Sequence, residues 1–307
     1  MTTAFISHRD CSNHDMGRHH PESPDRLAAI NDRLIASGLD MYLVFYDAPL
    51  ATIEQLTRAH APEHVRNVMQ SAPKTGIVHL DPDTAMCPST LEAALRSAGA
   101  SVMATDLVMS GEVENAFCSV RPPGHHAERA KAMGFCFFNN VAVAVKHALA
   151  VHGLERIAII DFDVHHGNGT ENIFAGDDRV LMVSTFQHPF YPYCGTDDPA
   201  DNMLNVPIPA GTRGDGFRQI VSDIWMPRLR EYAPQAIFIS AGFDAHYEDD
   251  MASLGLVESD YAWVTEQLKI LAAESANKRI VSILEGGYSL SALARSVASH
   301  IKVLADL

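Results

Sequence analysis

Five short apolar runs each end in small or polar residues: "NAFCSV" (115–120), "RIAIIDFDV" (156–164), "VLMVSTF" (180–186), "QAIFISAG" (235–242) and "RIVSILEGG" (279–287). They are rich in β-branched residues and lack polar alternation over most of their length, the pattern of strands buried on both faces. Longer segments with helical spacing lie among them: "SPDRLAAINDRLIAS" (23–37), "STLEAALRSAGASVMATDLVMSG" (89–111), "NNVAVAVKHALAVHG" (139–153) and "SDYAWVTEQLKILAAES" (259–275). A Ser89–Glu92 capping box is expected to open the second, with Gly111 stopping it. Alternation of this kind specifies an α/β fold, three layers with a mostly parallel central sheet between helices. No linker, low-complexity tract or repeat interrupts the 307 residues, so residues 1–307 are expected to form one domain.

In such sheets ligands bind beyond the carboxyl ends of the strands. The unusual polar residues collect there: Arg121 to His126, Asp161 to His166, Asp244, and Glu285 to Tyr288. One buried His or Asp would signify little, because most are hydrogen-bonded core groups. Four strand ends supplying such residues beside glycines point to one site.

Asp163 and His165 are two residues apart and project to the same side of an extended segment, while His166 points away. Asp244, on another strand, is placed to complete an Asp-His-Asp set. Three protein ligands leave coordination positions open, as at a catalytic metal. The set suits Zn²⁺ and would accept Fe²⁺, Co²⁺ or Mn²⁺. A metal of this kind acidifies water and polarises a carbonyl, and the chemistry then needs a proton shuttle and an oxyanion donor. The doublet His125–His126 can provide the shuttle. Tyr288, behind Gly286 and Gly287, can provide the donor. Asp161 and Asn168 are available to orient the two imidazoles.

The net charge of −15 disfavours binding to nucleic acid or to an anionic membrane surface. No apolar run approaches the roughly 18 residues needed to span a bilayer. Five cysteines with no CxxC pair argue against a disulfide framework or zinc ribbon, and a cytoplasmic setting is expected. The sequence leaves homo-oligomerisation open. His60 and His64 in "HAPEH" have the spacing of a zincin pair, but Pro62 and the misplaced Glu63 make the segment an ordinary helix start. Cys136 and Cys194 lack a dedicated base and are read as structural.

Four blocks, "RPPGHHAERAKAMGFCFFNNVAVA", "IIDFDVHHGNGT", "SAGFDAH" and "LEGGYSL", together with "HHPESPDRL" near the start, resemble the signature blocks of the histone deacetylase family. They occur in family order over roughly residues 19 to 290, and Asn168 in "HHGNG" resembles its class II members. The resemblance implies the arginase/deacetylase fold and a zinc-dependent amidohydrolase acting on acyl-lysine or another acylated amine. It implies Zn²⁺ on Asp163, His165 and Asp244, His126 as general base and then acid with His125 as its electrostatic partner, and Tyr288 on the acyl carbonyl. Asp161 would support His125, and Asn168 would support His126.

For substrate binding the resemblance implies Phe135 and Tyr191 as tunnel walls, the latter where Phe is usual. Gly134 and Gly286 would lie beside the tunnel, and Arg26 in a product-side cavity. It also implies a structural K⁺ at Asp161, Asp163, His165, Ser184 and Thr185, and a second K⁺ on carbonyls near Phe174, Asp177, Val180 and Asn202. His19–His20 would be only part of the opening loop. Polyamine-selective members carry a gatekeeper acid seven residues past the third ligand, where this chain has Met251; this favours acyl-lysine, with acetylpolyamine as the alternative. A binuclear-manganese ureohydrolase would need carboxylates where Gly167 and His246 stand. An inactive acyl-lysine reader could dispense with Tyr288 and the histidine pair, and this chain keeps them.

Overall fold

The computed structural model describes residues 2–307. The strands are β1 (Thr3–Ser7), β2 (Leu43–Asp47), β3 (Val78–Asp81), β4 (Thr84–Met86), β5 (Asn115–Cys118), β6 (Ile157–Asp161), β7 (Val180–Gln187), β8 (Met203–Ile208), β9 (Ala236–Ala241) and β10 (Ile280–Leu284). The helices are α1 (Asp25–Ser37), α2 (Ile53–Ala59), α3 (Pro62–Ser71), α4 (Thr90–Ser110), α5 (Asn140–Val151), α6 (Asn168–Phe174), α7 (Gly214–Ile220), α8 (Met226–Tyr232), α9 (Glu258–Ser275) and α10 (Leu290–Leu304). Eight strands form one sheet in the order β2-β1-β5-β10-β9-β6-β7-β8, with every pair parallel. β3 and β4 form a separate antiparallel hairpin.

The five apolar runs are β5, β10, β9, β6 and β7, consecutive in the sheet and almost wholly buried. The edge strands β2 and β8 were not marked by the apolar pattern, because an edge strand needs only one covered face: β2 reads "LVFYD" and is largely exposed. β1, "TAFIS", is buried between β2 and β5 but was not marked either, its run being short and polar at both ends. One helix group, α1, α9 and α10, packs together; α4 packs on α5 and on the β1–β5–β10 part of the sheet. Parallel connections with helices on both sides carry every strand's carboxyl end to the same edge. Register aligns those ends, pairing Asp161 with Ser184 on one side and Ser240 on the other.

The expected capping box at α4 does not form. Ser89 has helical dihedrals and no capping hydrogen bond, whereas the Thr90 hydroxyl accepts the Cys87 N–H at 2.8 Å. With Ser89 already in helical conformation, its hydroxyl is not placed to accept the Glu92 N–H. Gly111 does end α4, in the left-handed conformation. Pro62 opens α3, as the "HAPEH" reading expects.

Candidate active site

Past β6 the chain bends over residues 163–165, and Asp163 and His165 are brought side by side, with Asp163 Oδ1 accepting the His165 N–H at 2.9 Å. His165 Nδ1 lies 3.0 Å from Asp163 Oδ1 and 3.3 Å from Asp244 Oδ2, so the three ligand atoms converge on one point. The remaining carboxylate oxygens are tied by backbone donors: Gly286 N–H to Asp163 Oδ2 at 2.9 Å, and Val164 N–H to Asp244 Oδ1 at 2.9 Å. Gly286 has to be glycine, because a Cβ there would overlap the Asp244 and Asp163 carboxylates. Asp244 Oδ2 is buried without a hydrogen-bond partner. An unsatisfied carboxylate oxygen beside two further ligand atoms is what a bound cation would satisfy.

The His125 and His126 rings lie 4.0 Å apart. His125 Nδ1 meets Asp161 Oδ2 at 3.0 Å. Burial opposes its charged form, but the Asp163 and Asp161 carboxylates outweigh burial and push it up to about 10. His126 is held well below its ordinary value by burial and by the charges of His125 and His165. Its tautomer follows from its neighbour. Asn168 Nδ2 donates to Glu128 Oε1 at 2.9 Å, so Asn168 Oδ1 accepts from His126 Nδ1 at 2.8 Å and Nε2 keeps its lone pair. One imidazole is therefore charged and its neighbour is a neutral base.

These groups stand at the foot of a cavity of about 240 Å³ lined by Gly134, Phe135, Tyr191, Met251 and Tyr288. Tyr191 packs edge-on against both His126 and His165, and Phe135 faces Tyr288 at 6.1 Å. Gly134 adopts φ +59, and a Cβ there would overlap the His126 ring. Burial pushes the Tyr288 phenol well above its ordinary value, so it remains a donor.

Two lining residues, Asp83 and Phe190, were not singled out by sequence, and Glu285, marked there as part of a strand end, was given no role. Asp83, from the β3–β4 hairpin, lines the mouth and accepts the Gly134 N–H at 2.9 Å. Phe190 stacks on His165 at 5.6 Å, so the wall is Phe190 as well as Tyr191. Glu285 accepts the N–H groups of Gly124 and His125, fixing the start of the doublet. Its place in "EGGY" was the available signal for Glu285; for Asp83 there was none.

The remaining expected positions lie around this cavity or away from it. Arg26 is fully buried and committed to the Tyr288 loop, donating to Gly287 O at 2.7 Å and to Glu285 O, with its guanidinium 4.9 Å from the Tyr288 ring centre. His20 is more than part of the opening loop, since its ring packs on Phe135 at 4.7 Å. His166 turns away to Glu171 and Phe186. His60 and His64 are buried and bond the backbone at Glu128 and Phe137. Cys136 is buried and Cys194 exposed. Asp161 and Ser184, expected at the first K⁺ site, are adjacent in register, with Thr185 following on β7.

At the second expected K⁺ site the carbonyls already have a partner. Asn202 Nδ2 occupies the point on which the carbonyls of Phe174, Asp177 and Val180 converge, at 2.9, 3.2 and 2.9 Å. These residues, with that side chain among them, do not fit an ion.

Known proteins share this architecture. Residues 20–304 match the histone deacetylase domain family. A histone deacetylase-like amidohydrolase of Pseudomonas aeruginosa is 39% identical, covering 88% of this chain and 73% of its own. The polyamine deacetylase HDAC10 of Homo sapiens is 35% identical, covering 99% of this chain and 48% of its own. The crystal structure of the HDA15 HD domain superposes with a TM-score of 0.93 at 32% identity, over 99% of this chain and 88% of that one. The fold is that of the arginase and deacetylase class of α/β proteins. Within it the chain belongs to the histone deacetylase family of deacetylases and amidohydrolases.

Proposed function

We propose that this protein is a zinc-dependent amidohydrolase that removes acetyl or another acyl group from an amine, with acyl-lysine as the favoured substrate class. The carrying observation is the convergence of Asp163, His165 and Asp244 at the foot of an aromatic-walled cavity, with a neutral His126 and the Tyr288 hydroxyl beside them. Those three residues would hold Zn²⁺, which when bound would act as a Lewis acid toward water and the acyl carbonyl.

The rest of the chemistry belongs to the chain. His126 Nε2 takes a proton from the attacking water and later delivers it to the departing amine, while Asn168 keeps Nδ1 protonated. His125, charged and paired with Asp161, keeps its neighbour neutral until that transfer. Tyr288 donates to the oxygen on which negative charge develops. Phe135, Tyr191 and Phe190 exclude water from the acyl stem. A K⁺ held by Asp161, the Asp163 and His165 carbonyls, Ser184 and Thr185 fits the surplus of buried carboxylates, since Asp161, Asp163, Asp244 and Glu285 all lie together.

Acetylpolyamine is the second reading, favoured by the Asp83 carboxylate at the mouth. Against it, two of the three acids in the run Glu248–Asp250 are engaged within the protein, and only Asp250 is exposed without a partner among the described residues. Glu248 pairs with Arg295 at 2.8 Å, and Asp249 is buried on the backbone N–H groups of Tyr288 and Ser289. We place the enzyme in the cytoplasm, working as one domain on a small or peptidyl acylated amine and not on nucleic acid or membrane. No helix among the described residues is long and apolar enough to cross a membrane.

The deciding experiment is a kcat/KM panel of acetyl-lysine peptides, acetylpolyamines and longer acyl-lysines, with zinc measured on the same preparation. Higher values for acetyl-lysine peptides are expected. A preference for acetylpolyamines would select the second reading, and turnover of none of them would overturn both.

A further inference from the structure

The loop from the end of α6 into β7, "FAGDDRV" (174–180), turns three backbone carbonyls toward one point. Convergent carbonyls at a helix C-terminus build up negative potential that a cation or an N–H donor must relieve. Here the relief comes from a side chain. Asn202, buried at the start of β8, places its amide nitrogen among the carbonyls of Phe174, Asp177 and Val180. Its orientation is determined, because Oδ1 accepts the Gly176 N–H at 2.9 Å; a flipped amide would set oxygen against three oxygens and nitrogen against a donor. The Asn202 carbonyl accepts the Met182 N–H at 3.0 Å, which ties the residue to β7 by its backbone as well. Lys146 of α5 and Arg179 of the loop itself both pair with the Asp177 carboxylate.

We propose that the Asn202 amide is a built-in substitute for a monovalent cation, so that this loop is ordered by protein groups alone and binds no potassium. Two N–H hydrogens serve three acceptors, an arrangement in which each bond is shared and the nitrogen stands at the centre, where an ion would. The substitute is neutral and covalently attached, so its own contribution to the order of the loop does not vary with salt. This holds independently of the amidohydrolase reading, because it concerns a loop on the far side of α6 from His126.

The test is crystallographic, with crystals grown in potassium and soaked in thallium(I), whose anomalous signal locates monovalent cation sites. The intact protein should give no anomalous peak within the three carbonyls. Asn202→Ala should give one there, and its Tm should rise on replacing sodium by potassium by several degrees more than that of the intact protein. A peak in the intact protein, with Asn202 displaced, would overturn the proposal. So would a well-folded Asn202→Ala with no peak and no potassium-dependent gain. If Asn202→Ala does not fold, Asn202→Ser shortens the side chain while keeping a polar group, and the map of the intact protein decides by itself.

Discussion

In the proposed zinc set Asp163 and Asp244 would each supply one of three ligand atoms, so removing either would leave two. Asp163→Ala or Asp244→Ala should abolish tight zinc binding, measured as metal per chain after dialysis; full zinc content in either variant would remove that residue from the ligand set. Tyr288→Phe loses only a hydroxyl. Zinc content and folding should stay the same while kcat falls by roughly 10²–10³, the usual worth of one oxyanion donor; near-normal turnover would assign carbonyl polarisation elsewhere. Met251 lines the mouth where an acetylpolyamine would place an ammonium and a peptide would place neutral backbone. Met251→Glu should gain about 1 kcal/mol net of desolvation, or about fivefold in kcat/KM for acetylpolyamine relative to acetyl-lysine peptide. No change in that ratio would make Asp83 the controlling charge.

At the scale of elements, the site depends on loops being held at fixed distances from the sheet. Asp249, in the loop between β9 and α9, anchors the loop between β10 and α10 through Tyr288 and Ser289. Helix α4 is a separate case of close approach. Gly99 lies inside it, and a Cβ there would overlap the backbone at Pro49 and Ala51. Replacing a mid-helix glycine by alanine ordinarily stabilises a helix by up to about 1 kcal/mol. Gly99→Ala should instead destabilise the protein by about 1–3 kcal/mol, because the Pro49 segment must move away. Urea unfolding measures it, and a gain in stability would mean that the segment yields freely.

Across the whole molecule, several histidines are folded in neutral form. His300 is fully buried between the hydroxyls of Thr265 and Ser282, joining α9, β10 and α10, and burial lowers it to about 3. The unfolded chain binds the proton near 6.5 and the folded chain does not. The stabilisation is therefore complete above about pH 6.5 and is lost progressively as pH falls toward 3. His300→Gln should remove one proton from that linkage, lowering the slope of unfolding free energy against pH by about 1.4 kcal/mol per unit between pH 4.5 and 6. An unchanged slope would mean that His300 is charged in the fold.

What the sequence determined by itself is local. Apolar runs without alternation specify buried strands, and residues two apart on an extended segment share a side. The five central strands, the Asp163–His165 pair and the His125–His126 doublet were accordingly legible, and motif order added Asp244 and Tyr288. The edge strands β2 and β8 were not, because a strand with one exposed face carries a weaker apolar signal, and the buried β1 was not because its run of five residues is short and polar at both ends. Tertiary structure decided whatever depends on where distant backbone passes. It left Ser89 in a helical conformation with no capping bond, brought Asp83 to the cavity from a separate hairpin, and packed Phe190 on His165. It committed Arg26 to the Tyr288 loop, and it filled the point among three carbonyls with the Asn202 amide. Backbone carbonyls are common to every residue, so only the path of the folded chain determines which of them converge and what meets them there.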